Sequence, residues 1–248
     1  MPLSGSGETS AAQPLPVSFP VPDPASTTAR RVGRRAGARP VGPDLVPGGD
    51  AEPAVGDRQL VFFGAETAEP SVADLAGLLA GPGEVHRMGG TARLSVVVDA
   101  GWRVHVLLAE LAQRGVRATW TRTEDQRYAV RTAYTRTLVP LAAAWSRGPA
   151  QQPPAGFQLD GRRLRLWLAA SGAVDPPDFL LRLGGADPGG WTVVGAALVA
   201  AGLAGELVEP GAGGPAYRIA GRRRVLRLAE LVGERPPAVP PDAWPVRD

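Results

Sequence analysis

The sequence predicts an α+β protein: two repeated α/β units in one chain, related by a pseudo-twofold, behind a disordered N-terminal tail. Three observations carry this expectation. The apolar, small-residue stretch Leu75-Ala76-Gly77-Leu78-Leu79-Ala80-Gly81-Pro82-Gly83 is answered by Leu164-Arg165-Leu166-Trp167-Leu168-Ala169-Ala170-Ser171-Gly172, and 164 − 75 sets an offset of 89. Gly101-Trp102 recurs as Gly190-Trp191, and Tyr128 as Tyr217, at the same offset of 89. Landmarks at one spacing are the signature of an internal repeat. Each apolar stretch is also followed by the same succession of segments, with strands apolar on one face and polar on the other, as in a sheet covered on one side.

Composition narrows the function classes. A chain of 248 residues holds one or two domains with a sizeable core. All 27 basic residues are Arg, against 24 acids, for a net charge of +3. A high-GC genome gives that bias by itself, yet guanidinium groups suit phosphate oxygens and base edges. The location of the Arg side chains therefore matters more than their number. The chain has no cysteine, which removes disulfides, thiol catalysis and Cys-containing zinc sites. The N-terminus lacks a signal-peptide pattern, and the most apolar segment, residues 193–205, is too short to span a bilayer. A soluble, cytoplasmic protein without membrane contact is expected.

Residues 1–55 are rich in Pro, Gly, Ser and Ala and carry Arg30, Arg31, Arg34, Arg35 and Arg39. They read as a disordered tail, either a solvated linker or a basic arm for a nucleic-acid backbone. Residues 56–146 form the first unit. Its order is a strand-like run at 59–63, a helix capped by Ser71 with Asp74 three residues on, and a strand over 92–99. A helix over 101–114, a hairpin of 116–122 with 127–132, and a helix over 137–145 follow. Pro140 falls in the first turn of that last helix, where it is tolerated. Residues 147–155 are a Pro/Gln/Gly linker. Residues 156–235 repeat the order: helix 162–171, strand 178–183, helix 190–205, a hairpin of 206–209 with 216–220, and helix 222–232. Residues 236–248 are a Pro-rich tail.

Strand alternation sorts the side chains. Ala92, Leu94, Val96 and Val98 point to the core, opposite Arg93, Ser95, Val97 and Asp99. Ala118, Trp120, Tyr128 and Val130 read as core, with Arg117, Thr119, Thr121, Arg127, Ala129 and Arg131 facing away. In the second unit Phe179, Leu181, Leu183, Tyr217 and Ile219 oppose Leu180, Arg182 and Arg218. The outer face thus collects Arg93, Arg117, Arg127, Arg131, Arg182 and Arg218 between short hydroxyl side chains, with Asp99 the exception. Such a face suits phosphate and base-edge contacts, although exposed strand positions are polar in any case.

The stretch at Leu75 resembles the LAGLIDADG motif of homing endonucleases. Its first four residues, Leu-Ala-Gly-Leu, and its closing Gly coincide with that motif, and the order of elements is similar over about residues 56–235. Two units in one chain resemble the single-chain members, so a monomer with an internal pseudo-dimer is implied. The resemblance implies two motif helices packed side by side, here through the small residues Ala76, Gly77, Ala80, Gly81, Ala169, Ala170 and Ser171. It also implies two sheets forming a saddle on duplex DNA. Active members carry a metal-binding acid just before the final Gly, and a hard cation needs such oxygen ligands. Here Pro82 and Ser171 stand at those positions, and the next acids are Glu84 and Asp175. A unit without its acid is also similar to the N-terminal region of the bacterial sporulation regulator WhiA. The C-terminal helix-turn-helix of that regulator is not expected here, so its role is not carried over whole.

The remaining candidates are weaker. Arg222, Arg223, Arg224 and Arg227 open the last helix, where the helix dipole disfavours positive charge and an anionic partner is invited. The Gly-rich residues 211–214 lack the Lys-Ser/Thr of a phosphate loop and read as a hairpin tip. His86 and His105 are not spaced as a metal pair. The expectation is a non-catalytic, regulatory DNA-binding protein, with no catalytic, cofactor or metal residues. A protein-interaction module is the alternative, and an active endonuclease comes third.

Overall fold

The computed structural model describes residues 69–147, 150–184, 188–211 and 214–246. The expected N-terminal tail with its Arg run and the strand-like residues 59–63 lie outside the described residues, as do 212–213 at the expected hairpin tip. Among the described residues no helix is long and apolar enough to cross a membrane.

Two helices stand at the centre. A 3-10 turn, Val72–Leu75, leads into α1, Ala76–Ala80. The Asp74 carboxylate fastens its start, accepting from the Ser71 backbone N–H at 2.8 Å and from the Ser71 hydroxyl at 3.1 Å. Gly81 ends the helix, and Pro82 cannot continue it. The second central helix, here α4, spans Gly161–Ser171, and the Asp160 carboxylate accepts the Arg163 N–H at 2.9 Å. Gly77 and Gly81 let the two helices touch backbone to backbone and run the same way. A Cβ on Gly77 would stand 1.9 Å from the Arg163 carbonyl oxygen, and one on Gly81 2.4 Å from the Trp167 ring. Ala76, Ala80, Ala169 and Ala170 are buried beside them, with Leu75, Leu78, Leu164, Leu166, Trp167 and Leu168 fully buried around the pair.

Each central helix runs straight into a four-stranded antiparallel sheet. In the first, β1 (Gly83–Met88), β2 (Thr91–Val98), β3 (Ala118–Arg122) and β4 (Tyr128–Thr132) take the order β1-β2-β4-β3. In the second, β7 (Gly172–Asp175), β8 (Asp178–Arg182), β9 (Glu206–Gly211) and β10 (Gly214–Ile219) take the order β7-β8-β10-β9. α2 (Gly101–Gln113) follows the first hairpin of unit one, and α3 (Val139–Trp145) closes that unit after a 3-10 turn. α5 (Pro188–Ala200) and α6 (Arg222–Val232) occupy the corresponding places in unit two. Pro140 does lie in the first turn of α3.

Strands β1 and β7 correct the expected order, which becomes helix, hairpin, helix, hairpin, helix. Both are edge strands. β1 is mostly exposed and β7 has four residues, so neither carries the alternation that marks a half-buried strand. Gly89-Gly90 between β1 and β2 is the turn signal, with Gly89 at φ +58°.

The repeat is real but not uniform in register. Gly83 and Gly172 open equivalent strands at the offset of 89. Gly83 pairs with Val96, however, and Gly172 with Leu181, so the next strands are offset by 181 − 96 = 85. Val96 pairs with Val130 and Leu181 with Tyr217, which makes 217 − 130 = 87. Tyr217 therefore corresponds to Val130. Its coincidence with Tyr128 at 89 is not a structural equivalence.

The core faces of β2, β8 and β10 follow the alternation, with Leu94, Val96, Val98, Phe179, Leu181 and Ile219 buried. Trp120 does not. It lies on the core-side face opposite Val130 but on an edge strand, where it is 47% exposed and packs edge-on against Tyr128, centroids 5.6 Å apart. Ala129, expected outward, is fully buried.

The linker and the C-terminal segment are built into the fold. Residues Ser146–Arg147 (β5) and Ala150–Gln151 (β6) form a small hairpin. The Gln151 side chain satisfies the free edge of β1, accepting from Val85 N–H at 2.9 Å and donating to the Gly83 carbonyl at 2.8 Å. In the Pro-rich segment Val239 and Trp244 are buried. A buried ionic network ties the helices together. Arg114 pairs with Asp74 at 3.0 Å and with Glu110 at 2.7 Å, and Arg165 pairs with Glu110 at 2.8 Å. Arg165 also donates to the carbonyls of Val232 and Glu234 and lies over the Trp244 ring.

Candidate nucleic-acid interface

The C-terminal ends of α1 and α4 and the outer faces of both sheets meet in a cleft of about 580 Å³. Pro82, Ala170, Ser171 and Gly184 line it from the seam between the helices. Glu84, Ser95, Val97, Asp99 and Arg127 line it from the first sheet, and Arg182 from the second. Of the six expected Arg contacts, then, Arg127 and Arg182 are brought together across the seam.

The others lie farther out. Arg131 is exposed in a cross-strand row of Glu84, Ser95, Arg131 and Thr119, and its guanidinium donates to the Thr121 hydroxyl at 3.3 Å. Arg93, opposite His86, is half-buried over the Tyr134 ring at 4.9 Å. Arg117 is exposed just ahead of β3. Arg218 is half-buried and pairs with Asp175 at 2.9 Å. Four of the six thus belong to the first unit. The outer positions beside Arg218, Leu180 and Glu206, are not basic, so the two sheets are chemically unequal.

Acids are less scarce on this face than the sequence suggested. Arg127 pairs with Asp125 at 2.5 Å, and Asp125 also accepts from the Thr123 hydroxyl. The Thr123 hydrogen bond first, then that of Arg127, holds the Asp125 carboxyl below the usual carboxylate range. Glu84 and Asp99 both line the cleft. A phosphate reaching Arg127 competes with Asp125. Asp125→Asn is accordingly expected to raise affinity for duplex DNA at low salt, a change read by titrating a labelled duplex.

Alternation did not reveal Arg103. It sits in the first turn of α2, and its guanidinium is buried against the end of α4. It donates to the carbonyls of Leu168 at 3.2 Å, Ala169 at 3.1 Å and Gly172 at 2.6 Å, and to Asp99 at 2.8 Å. Burial lowers its pKa from the ordinary Arg value, and Asp99 partly opposes that shift. A cation on the last carbonyls of a helix is favourable. The sequence signal was an Arg four residues after Asp99, set among Val104, Val106 and Leu107. The Ser171 hydroxyl is also engaged, donating to the Arg182 carbonyl at 3.0 Å.

No protein-family model matches the chain, and no curated protein matches it. Solved structures do. The homing endonuclease I-WcaI, bound to its DNA recognition sequence, superposes with a TM-score of 0.50 at 11% identity, covering 68% of this chain and 82% of that one. The N-terminal LAGLIDADG domain of WhiA gives a TM-score of 0.46 at 11% identity, covering 66% of this chain and 82% of that domain. I-DmoI in complex with DNA and Ca gives 0.43 at 16% identity, covering 69% of this chain and 93% of that one. The fold of the described residues is LAGLIDADG-like, with both units present.

A divalent metal is what the resemblance implies, and the two carboxylates that line the cleft, Glu84 and Asp99, both come from the first unit. Pro82 and Ser171 supply no carboxylate at the helix ends. The Arg103 guanidinium already sits on the end of α4. Among the described residues no group of three or more His, Asp or Glu is arranged to hold a metal ion.

Proposed function

We propose that this chain is a non-catalytic duplex-DNA-binding protein, regulatory rather than cleaving, that works in the cytoplasm. It binds through the outer faces of its two sheets. The observation that carries the reading is the cleft where Arg127 of one sheet and Arg182 of the other meet at the foot of the paired helices. Arg93, Arg117 and Arg131 extend the same face outward from it. The homing endonuclease of like fold was solved on its DNA recognition sequence, which supports duplex DNA as the ligand. On this reading residues 56–146 and 156–235 are the two halves of the grip, residues 147–155 join them, and the chain acts as a monomer.

The test separates the sheets from the tail. Protein lacking residues 1–55 is expected to shift duplex DNA at low salt and to keep most of its sequence preference. It is also expected to cleave no DNA with magnesium or manganese. A tail-less protein that binds no DNA removes the proposal. Chelator-sensitive cleavage lost in Glu84→Gln would instead make Glu84 a metal ligand and the chain a nuclease.

One observation favours the interaction-module reading as a second. α5 is apolar nearly all round, and Val193 and Val199 are exposed on it. A helix of that composition is ordinarily covered.

A further inference from the structure

We propose that the start of α6 holds the phosphate backbone of a second DNA duplex, so that one chain bridges two duplexes; the first is the one seated on the sheets, and the inference rests on that reading. Arg222, Arg223, Arg224 and Arg227 are all exposed. They border an open groove of about 1020 Å³ whose far side is Gly202, just past α5. Glu230 is the one acid among the described residues that line it, and it pairs with Arg227 at 3.2 Å. Among the described residues no carboxylate pairs with Arg222, Arg223 or Arg224. This composition works against the helix. Three cations in its first turn oppose the dipole, and Arg223 and Arg227 repel each other at i, i+4. An anionic partner relieves both. The attraction comes from the side chains, because the Gly221 N–H already donates to the Asp178 carboxylate at 3.2 Å.

Charge spacing selects the partner. Arg222 to Arg224 bring one cation per helical rise of about 1.5 Å, fanned in steps of about 100°. Side chains that diverge so widely suit a row of anions better than a single small one. Duplex DNA presents one negative charge per about 1.7 Å of its axis, whereas an extended acidic segment carries one per about 3.3 Å at most. Guanidinium forks also match phosphate oxygens. The groove is separate from the cleft. β8 begins at Asp178, beside Gly221, and ends at Arg182, in the cleft, so about 13 Å of strand lies between them. The groove belongs to the helix layer, and the cleft to the outer sheet faces.

The test uses the full chain, a biotin-labelled duplex and a fluorescent duplex of the same sequence. Parent protein captured on the first duplex is expected to retain the second. Arg222→Gln/Arg223→Gln/Arg224→Gln should still shift a single duplex but retain roughly tenfold less of the second, having lost three phosphate contacts. Its thermal midpoint should be no lower, because cations leave the first turn of the helix. A parent that shifts one duplex and retains no second overturns the bridge and leaves the sheet reading standing. If that parent instead captures oligoglutamate and the triple variant does not, the groove belongs to an acidic protein. Equal retention by parent and triple variant also overturns the bridge and places the second contact off α6. A triple variant that no longer shifts a single duplex overturns the sheet reading, and the bridge with it, and leaves α6 as the DNA contact.

Discussion

Arg114→Met is expected to lower stability by about 3–5 kcal/mol, the usual result of breaking a buried ion pair from one side. The Arg114 side chain is wholly buried, and its partners Asp74 and Glu110 are nearly so. Methionine fills most of the volume but leaves Asp74 without a cation and Glu110 with Arg165 alone. The loss spreads, because Glu110 also positions Arg165, which holds the end of α6 through the Val232 carbonyl. For a chain of this size the thermal midpoint should fall by roughly 10 °C or more. The double variant Asp74→Asn/Arg114→Met should lose less than the single one, because Glu110 keeps Arg165 as its cation and no buried carboxylate is left unpaired. Calorimetry of both proteins checks the expectation. A single variant as stable as the parent would mean that the network is solvated.

The second large effect belongs to Gly77. In Gly77→Ala the new Cβ falls 1.9 Å from the Arg163 carbonyl oxygen. That obstacle is backbone, so it yields only if α1 and α4 separate, and their packing is the joint between the units. Overpacking in a core costs about 1–3 kcal/mol and more where nothing can give. A cost of about 3 kcal/mol is expected for Ala, and a larger one for Val. Gly89→Ala is the control. Gly89 has φ +58° and open space around it, so only backbone strain of about 1 kcal/mol is expected. Equal losses at both positions would remove the claim that the helices touch through Gly77.

The architecture was legible in the sequence because its marks are local. Gly-Pro-Gly stops α1, Ser71 and Asp74 mark its start, and alternating apolar residues mark β2, β8 and β10. What escaped was set by tertiary context. β1 and β7 lie at sheet edges, where pairing to a neighbour and not apolar alternation makes the strand; β1 is held partly by the Gln151 side chain, 68 residues from its partner Gly83. Trp120 has a core residue's chemistry and an edge strand's exposure. The candidate site was legible as a list of outward Arg residues but not as an arrangement. Alternation gives the face of a strand, yet not that Arg127 and Arg182 share a cleft, that Asp125 and Asp175 pair with two of the six, or that Arg103 caps α4. Those depend on how two sheets and two helices meet, which no single segment encodes.

The central claim is that the outer faces of the sheets, the Arg-rich first one above all, hold duplex DNA through its phosphates. The direct measurement is the salt dependence of duplex affinity for the parent chain and for Arg127→Ala/Arg131→Ala. Each neutralised phosphate releases counterions, so log K should fall linearly with log salt, with a slope of about −0.9 per phosphate neutralised. The double variant should bind more weakly, with a slope shallower by about 0.9 for each phosphate that no longer meets a guanidinium. Both replaced residues are exposed, so its thermal midpoint should be nearly unchanged. A double variant that binds with the parent's affinity and slope would contradict the account and move the DNA, if it binds, off these sheets.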